Sequence, residues 1–302
     1  MMDYTKKKLE DMDVMDDFLM GQLAADESFG TDFCRLVIST LLQRKIGKLR
    51  VSTQKVLAAL TPSQRGIRMD VEVEELGEVE GSEKPAVMNI YDMEPHLYKG
   101  MDIPRHNRFY QAKIDSRGLR SGEKDFSKLP NLYVLMILSF DPFGKDRMVY
   151  TIRNQCEEEP ELEYEDGLRF YYFYTGGTYG GNEAIRAMLT YMQDSRAENV
   201  TDQATTALHS YVSRVKFLPE VRDAYMKWDE FIYYMKKEER EKAVIDTMVQ
   251  GIQDILEEYG DIPEHVKSRL SETDDKEILK KWIKLSAKVN SIEEFEAGMQ
   301  LV

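Results

Sequence analysis

The chain has 302 residues, 42% of them apolar, enough for one large core or two smaller ones. A net charge of −14 and a pI near 4.9 argue against general affinity for nucleic acid, itself a polyanion. Cys34 and Cys156 form neither a zinc motif nor a disulfide framework, and no apolar run reaches the ~18 residues of a membrane span, so a protein of the reducing cytoplasm is expected.

Residues 1–15 are polar and charged and read as a loose start or an irregular helix. From Asp16 onward, Phe18, Leu19 and Leu23, then Phe33, Leu36, Val37 and Leu41, recur at helical spacing and predict two helices, the second capped by Thr31 or Asp32. Residues 48–60 form a short, basic, mixed segment, broken by Pro62 and Gly66.

Asp70-Val71-Glu72-Val73-Glu74 alternates acidic and apolar residues, the pattern of a half-buried strand with Val71 and Val73 on the core side and Asp70 on the other. The same rule sets Asp92, Glu94 and His96 on one face of a second strand and Tyr91 and Met93 on the opposite face. A polar loop with Gly77 and Gly81 returns the chain antiparallel, and if it is centred near Ser82, Asp70 lies opposite Glu94. Opposed carboxylates repel, and a fold keeps such a pair mainly where a cation sits between them. Mg²⁺ takes one or two carboxylates together with waters and substrate phosphate. An exposed acidic sheet edge accounts for the charge pattern as well.

Residues 97–103 read as a loop and 107–119 as a helix, with Arg105, Arg108, Tyr110 and Lys113 near its beginning, where a helix N-terminus favours anions. Phe109 reads as a core aromatic, Tyr110 as either core or stacking group. Residues 132–138 form a continuous apolar run bounded by prolines, the mark of a strand buried on both faces and central in its sheet. Residues 148–152 and 168–174 read as two more strands around the acidic loop 157–166, making five in an α/β core. The glycine-rich Thr175–Gly181 lacks the Gly-Lys-Ser/Thr ending of a phosphate loop and reads as a flexible turn.

From Glu183 the pattern is helical, with Met226, Trp228, Phe231 and Tyr234 as an apolar stripe of core type and 236–241 as a charged, solvated face or hinge. Short amphipathic helices follow. The expected division is therefore 1–235 and 236–302, the latter serving packing, a homo-oligomer or a protein partner.

Charge is unevenly spread. Residues 33–69 carry eight basic side chains and no acid, and 99–128 carry eight against four acids. Both segments bracket the hairpin, as a phosphate-binding rim would, though ordinary solvated helix faces look the same.

An Asp near the end of one strand, then a Glu and a third polar residue two positions later on the next, resembles the PD-(D/E)XK nuclease superfamily. Within it the chain is most similar to the recombination-promoting nucleases, a transposase-related family. The similarity is carried in order by Gly66-Ile67-Arg68-Met69-Asp70-Val71, Tyr91-Asp92-Met93-Glu94-Pro95, Pro104-Arg105, Arg108-Phe109-Tyr110, Ile114-Asp115-Ser116, Leu119 to Gly122, Leu129-Pro130 and Phe140-Asp141-Pro142-Phe143-Gly144, and extends from Asp16 to Tyr225. The resemblance implies a restriction-endonuclease-like mixed central sheet flanked by helices, followed by a helical C-terminal region. It also implies an Mg²⁺- or Mn²⁺-dependent DNA endonuclease that hydrolyses phosphodiester bonds in recombination or transposition. Asp70 and Glu94 would be catalytic and metal-holding, with Glu27 an additional acid by position. Arg105, Arg108, Tyr110 and Lys113 would contact nucleic acid. His96 stands where the superfamily has Lys, and where the close family often carries an amide. Imidazole can orient water or accept a proton, yet the departure equally fits an inactive nuclease fold that binds DNA or protein.

Overall fold

In the computed structural model, six strands form one mixed sheet in the order β1-β2-β3-β4-β6-β5. They are β1 (Lys48–Leu57), β2 (Ile67–Gly77), β3 (Ala86–His96), β4 (Asn131–Leu138), β5 (Val149–Ile152) and β6 (Leu168–Tyr174). The structure describes residues 7–57, 67–78, 85–99, 102–119, 122 and 124–300, without the side chains of 54–57, 67–70, 231, 232, 235, 236 and 239. β1, β2 and β3 run antiparallel in sequence; β4 and β6 then continue parallel to β3, and β5 closes the edge antiparallel.

Period-two alternation gives the sheet two buried faces. Val71, Val73, Tyr91, Met93, Leu135 and Ile137 are fully buried on one. The helices α1 (Asp17–Ala25) and α2 (Gly30–Leu42) belong to that side, since Arg44, just past α2, lies over the rings of Tyr91 and Tyr133. α4 (Glu183–Gln193) and α5 (Gln203–Phe217) pack against α2. On the other face Ile90, Leu132, Val134, Met136 and Leu168 build a second core with Ile103 and Ile114 of α3 (Ile103–Gly118). α3 thus spans the parallel step from β3 to β4, the usual connection for parallel neighbours. β4, apolar from Leu132 to Leu138, is interior in the sheet.

Several sequence expectations need correction. Segment 48–57 is a sixth strand, pairing with β2 along its length; its cationic side chains hid the alternation of Leu49, Val51 and Thr53. Residues 1–6 of the N-terminal segment lie outside the described residues; from residue 7 it is not loose but contains a short 3₁₀ turn at Leu9–Asp11, the irregular helix of the two expectations, with Leu9, Met12, Val14 and Met15 buried and Lys7 bridging Asp13 and Asp16. Neither Thr31 nor Asp32 caps α2; Asp26 accepts the N–H groups of Ser28 and Phe29 ahead of it. α3 begins at Ile103, capped by Asp102 with Pro104 in its first turn, so part of the expected loop is helix. The glycine-rich turn is pinned: Met148 donates to the Tyr179 carbonyl and Thr178 to that of Asp146, and a Cβ on the buried Gly177 would collide with the Met148 backbone.

The chain divides into two compact units at Tyr225/Met226, ahead of the break expected at residue 235. One helix, α6 (Pro219–Glu257), runs through the charged stretch, which is the solvated helix face of the two readings and not a hinge. Met226 and Tyr234 are 61% and 54% exposed, so their stripe is not core; Phe231 falls outside the described side chains. The second unit has its own core, where Ile252, Leu256, Val266, Leu270, Leu279, Trp282 and Phe295 join α6 to α7 (Glu264–Ser271), α8 (Lys276–Ser286) and α9 (Ile292–Met299). Among the described residues no helix is long and apolar enough to cross a membrane.

Candidate active site

The hairpin register places Val71 across from Met93, Glu72 from Asp92 and Val73 from Tyr91. Continued by one residue, it sets the Asp70 backbone of β2 opposite that of Glu94. The Asp70 side chain lies outside the described residues.

The acids of this face are not an exposed edge. Glu72 and Asp92 are fully buried and Glu94 is 3% exposed, because α3 lies over them. Carboxylates are rarely buried without partners, since desolvation opposes their charge. Glu72 has one in Arg117, whose Nη2 donates to its carboxylate from the last turn of α3. Opposing buried acids on neighbouring strands also repel.

β3 and the parallel β4 end together at His96 and Leu138. His96 is where this face opens, its side chain 22% exposed against 4% for Glu94. Its Nε2 lies 3.9 Å from Glu94 Oε2 and is buried with no hydrogen-bond partner among the described residues. Burial, assisted by the nearby His106, pushes the His96 pKa down to about 4. The ring is therefore neutral at neutral pH, and its approach to Glu94 is not an ion pair.

α3 supplies the rest of the lining. Ile103, Asn107 and Ile114 are buried at helical spacing and define its inward side. His106 stands beside them, edge-on to His96 at 6.1 Å between ring centroids and packed on Tyr110 at 3.9 Å. The fully buried Asn107 donates to Tyr172 Oη at 3.2 Å. His106 and Asn107 were missed in the sequence, although both lie one helical turn from Tyr110.

Tyr110 is thus turned inward, half-buried against the second core. Arg105 and Arg108 are exposed on the outward side, Arg105 paired with Asp102 at 2.6 Å. Lys113 lies 5.7 Å from the Phe109 ring, and Phe109, expected in the core, is 38% exposed. Glu27 is exposed in the turn between α1 and α2, the layer on the opposite side of the sheet. The basic segment before β2 is partly consumed within the fold: Arg50 pairs with Glu74, Arg35 with Asp32, and Arg44 donates to Tyr91 Oη. Tyr91 in turn donates to Glu75 at 2.6 Å. Burial raises the Glu75 pKa, but bonds from Tyr91, Gly47 and Asn89, with Arg44 nearby, outweigh it and hold the carboxyl below its usual range.

Among the described residues no three His, Cys, Asp or Glu side chains converge as a metal cluster. Asp70 is the acid the register would add to Glu94 and His96. Comparison with family models, curated proteins and solved structures finds no match to this chain.

Proposed function

We propose that the chain is a divalent-metal-dependent DNA endonuclease with a restriction-endonuclease-like core, of the PD-(D/E)XK kind that its motifs resemble. The observation that carries this reading is the Glu94–His96 pair: a buried carboxylate and, 3.9 Å away, a buried Nε2 without a hydrogen-bond partner among the described residues, at the open end of the hairpin. Two carboxylates are a donor set that fits a divalent ion, and a neutral imidazole beside them can orient a water or accept its proton. In open α/β sheets ligands gather off the carboxyl ends of parallel strands, which is where His96 lies.

Asp70 and Glu94 would hold the ion. When bound, it polarises a phosphoryl oxygen and lowers the pKa of an attacking water. His96 offers an unprotonated nitrogen beside it, and His106 and Tyr110 shape the wall above. α3 excludes bulk water from the acids, which strengthens every charge interaction there. Arg105 and Arg108, on the outward side of α3, suit phosphates flanking the cleaved bond rather than the reacting one. A role in recombination or transposition belongs to the resemblance alone.

The 3% exposure of Glu94 favours a second reading, a nuclease fold that binds DNA without turnover. The two separate by incubating supercoiled plasmid, linear duplex, single-stranded DNA and RNA with the protein, with and without Mg²⁺ or Mn²⁺. Metal-dependent DNA nicking that disappears in folded Asp70→Asn and Glu94→Gln supports catalysis. DNA retained but uncut under every condition supports the second reading, and cleavage that survives Glu94→Gln contradicts the assigned site.

A further inference from the structure

The lone pair of His96 has two possible uses: to accept a proton from water, or to bind the ion itself. We infer that His96 Nε2 is a direct nitrogen ligand beside Glu94, and that it biases the site toward transition ions such as Mn²⁺ over Mg²⁺. This rests on the metal-holding reading of Glu94 and goes beyond it by assigning His96 to the ion rather than to the water.

The spacing supports the choice. A water hydrogen-bonded to two acceptors at about 2.8 Å, with its two hydrogens at their natural angle, holds them about 4.4 Å apart. Two ligands bound about 2.1 Å from one ion can stand up to about 4.2 Å apart. The observed Nε2 to Oε2 distance of 3.9 Å is shorter than the water span and falls between the about 3.0 Å of ligands at right angles and the about 4.2 Å of opposed ones, so a side-chain shift of under about 1 Å closes the pair on one ion. Strand geometry fixes the pairing, because residues 94 and 96 of β3 project to the same face. Nε2 is also enclosed, so it does not draw freely on solvent for a proton. His106 is held differently, its ring packed on Tyr110 and its Nδ1 3.3 Å from Asn107 Oδ1, and is assigned no ligand role. Mg²⁺ prefers oxygen donors throughout, whereas later divalent ions accept imidazole and bind nitrogen-containing sites more tightly. The superfamily's Lys, positively charged, could not serve this way, so replacement by His changes the donor set as well as the base.

The test is metal binding by the full chain, read without any turnover. Mn²⁺ is titrated by the electron paramagnetic resonance signal of the free ion, Mg²⁺ by competition, and the bound Mn²⁺ is examined by pulsed resonance for ¹⁴N coupling. The expected result is Mn²⁺ binding at least about tenfold tighter than Mg²⁺, with ¹⁴N coupling that is lost in His96→Gln and kept in His106→Gln. Labelling the wild-type histidines with ¹⁵N should convert the coupling pattern, a check that survives any folding defect of the variants. Mn²⁺ bound in a Glu94-dependent manner but without histidine coupling would overturn the inference and leave the acidic site standing. No Mn²⁺ binding to the wild type would overturn both.

Discussion

Replacing Arg117 by methionine tests how the acidic face tolerates its own charge. Glu72 is fully buried and Arg117 is 28% exposed, with the guanidinium bonded to the carboxylate across the gap between α3 and β2. Breaking a buried pair from one side costs about 3–5 kcal/mol, because the remaining charge is left in a poor solvent. Water can follow the partly exposed Arg117 stem, so the lower end, about 3 kcal/mol, is expected. The double variant Glu72→Gln/Arg117→Met leaves no charge behind and should recover about 1–2 kcal/mol of that loss. Urea unfolding followed by far-ultraviolet circular dichroism supplies all four corners of the cycle, provided the m-value holds constant. A loss under about 1 kcal/mol for Arg117→Met, or a double variant no better than the single, would refute the reasoning. Glu72 would then be held by something other than Arg117.

Three further outcomes follow from the same geometry. The His96 ring should titrate near pH 4 by nuclear magnetic resonance. Its folded pKa lies below the unfolded value, so the unfolded chain binds more protons between about pH 6.5 and 4 and stability declines by up to about 3 kcal/mol as pH falls through that window. A midpoint between about 6 and 7 would contradict the burial of the ring. Tyr91→Phe removes a donor to Glu75, so the Glu75 carboxyl should titrate at higher pH than in the wild type. The stability Glu75 contributes above its unfolded pKa then drops by about 1 kcal/mol, and an unchanged midpoint would show that Tyr91 does not hold it. A chain ended at Lys236 retains the whole first unit and should keep the metal-dependent activity; loss of nicking with the fold intact would assign the helical tail a direct part.

The sheet was most legible where period two was strictest. Asp70 to Glu74 and Tyr91 to His96 announced two strands, and the loop between them fixed a register that the pairing of Glu72 with Asp92 reproduces. The same alternation already placed Glu72 on the face of Asp92 and Glu94, so its involvement could have been read. β1 escaped notice because residues that pair with β2 on an edge tolerate cationic and hydroxyl side chains as readily as apolar ones. That the acidic face is buried was not visible either: a local pattern shows which residues share a side, whereas covering that side required α3 to fold back across β3 and β4. His106 became part of the lining only through that crossover, and in the sequence it is one polar residue among several. The exposed Met226 and Tyr234 show the opposite limit, since helical spacing of apolar residues does not say whether anything is packed against them.

The central claim is that Asp70 and Glu94 close on one divalent ion at the end of the hairpin. It is tested most directly by anomalous diffraction from crystals of the full chain grown with Mn²⁺. The account predicts a manganese peak within about 2.3 Å of a carboxylate oxygen from each of the two residues. Carboxylates that point apart, with no peak between them at saturating Mn²⁺, would contradict it.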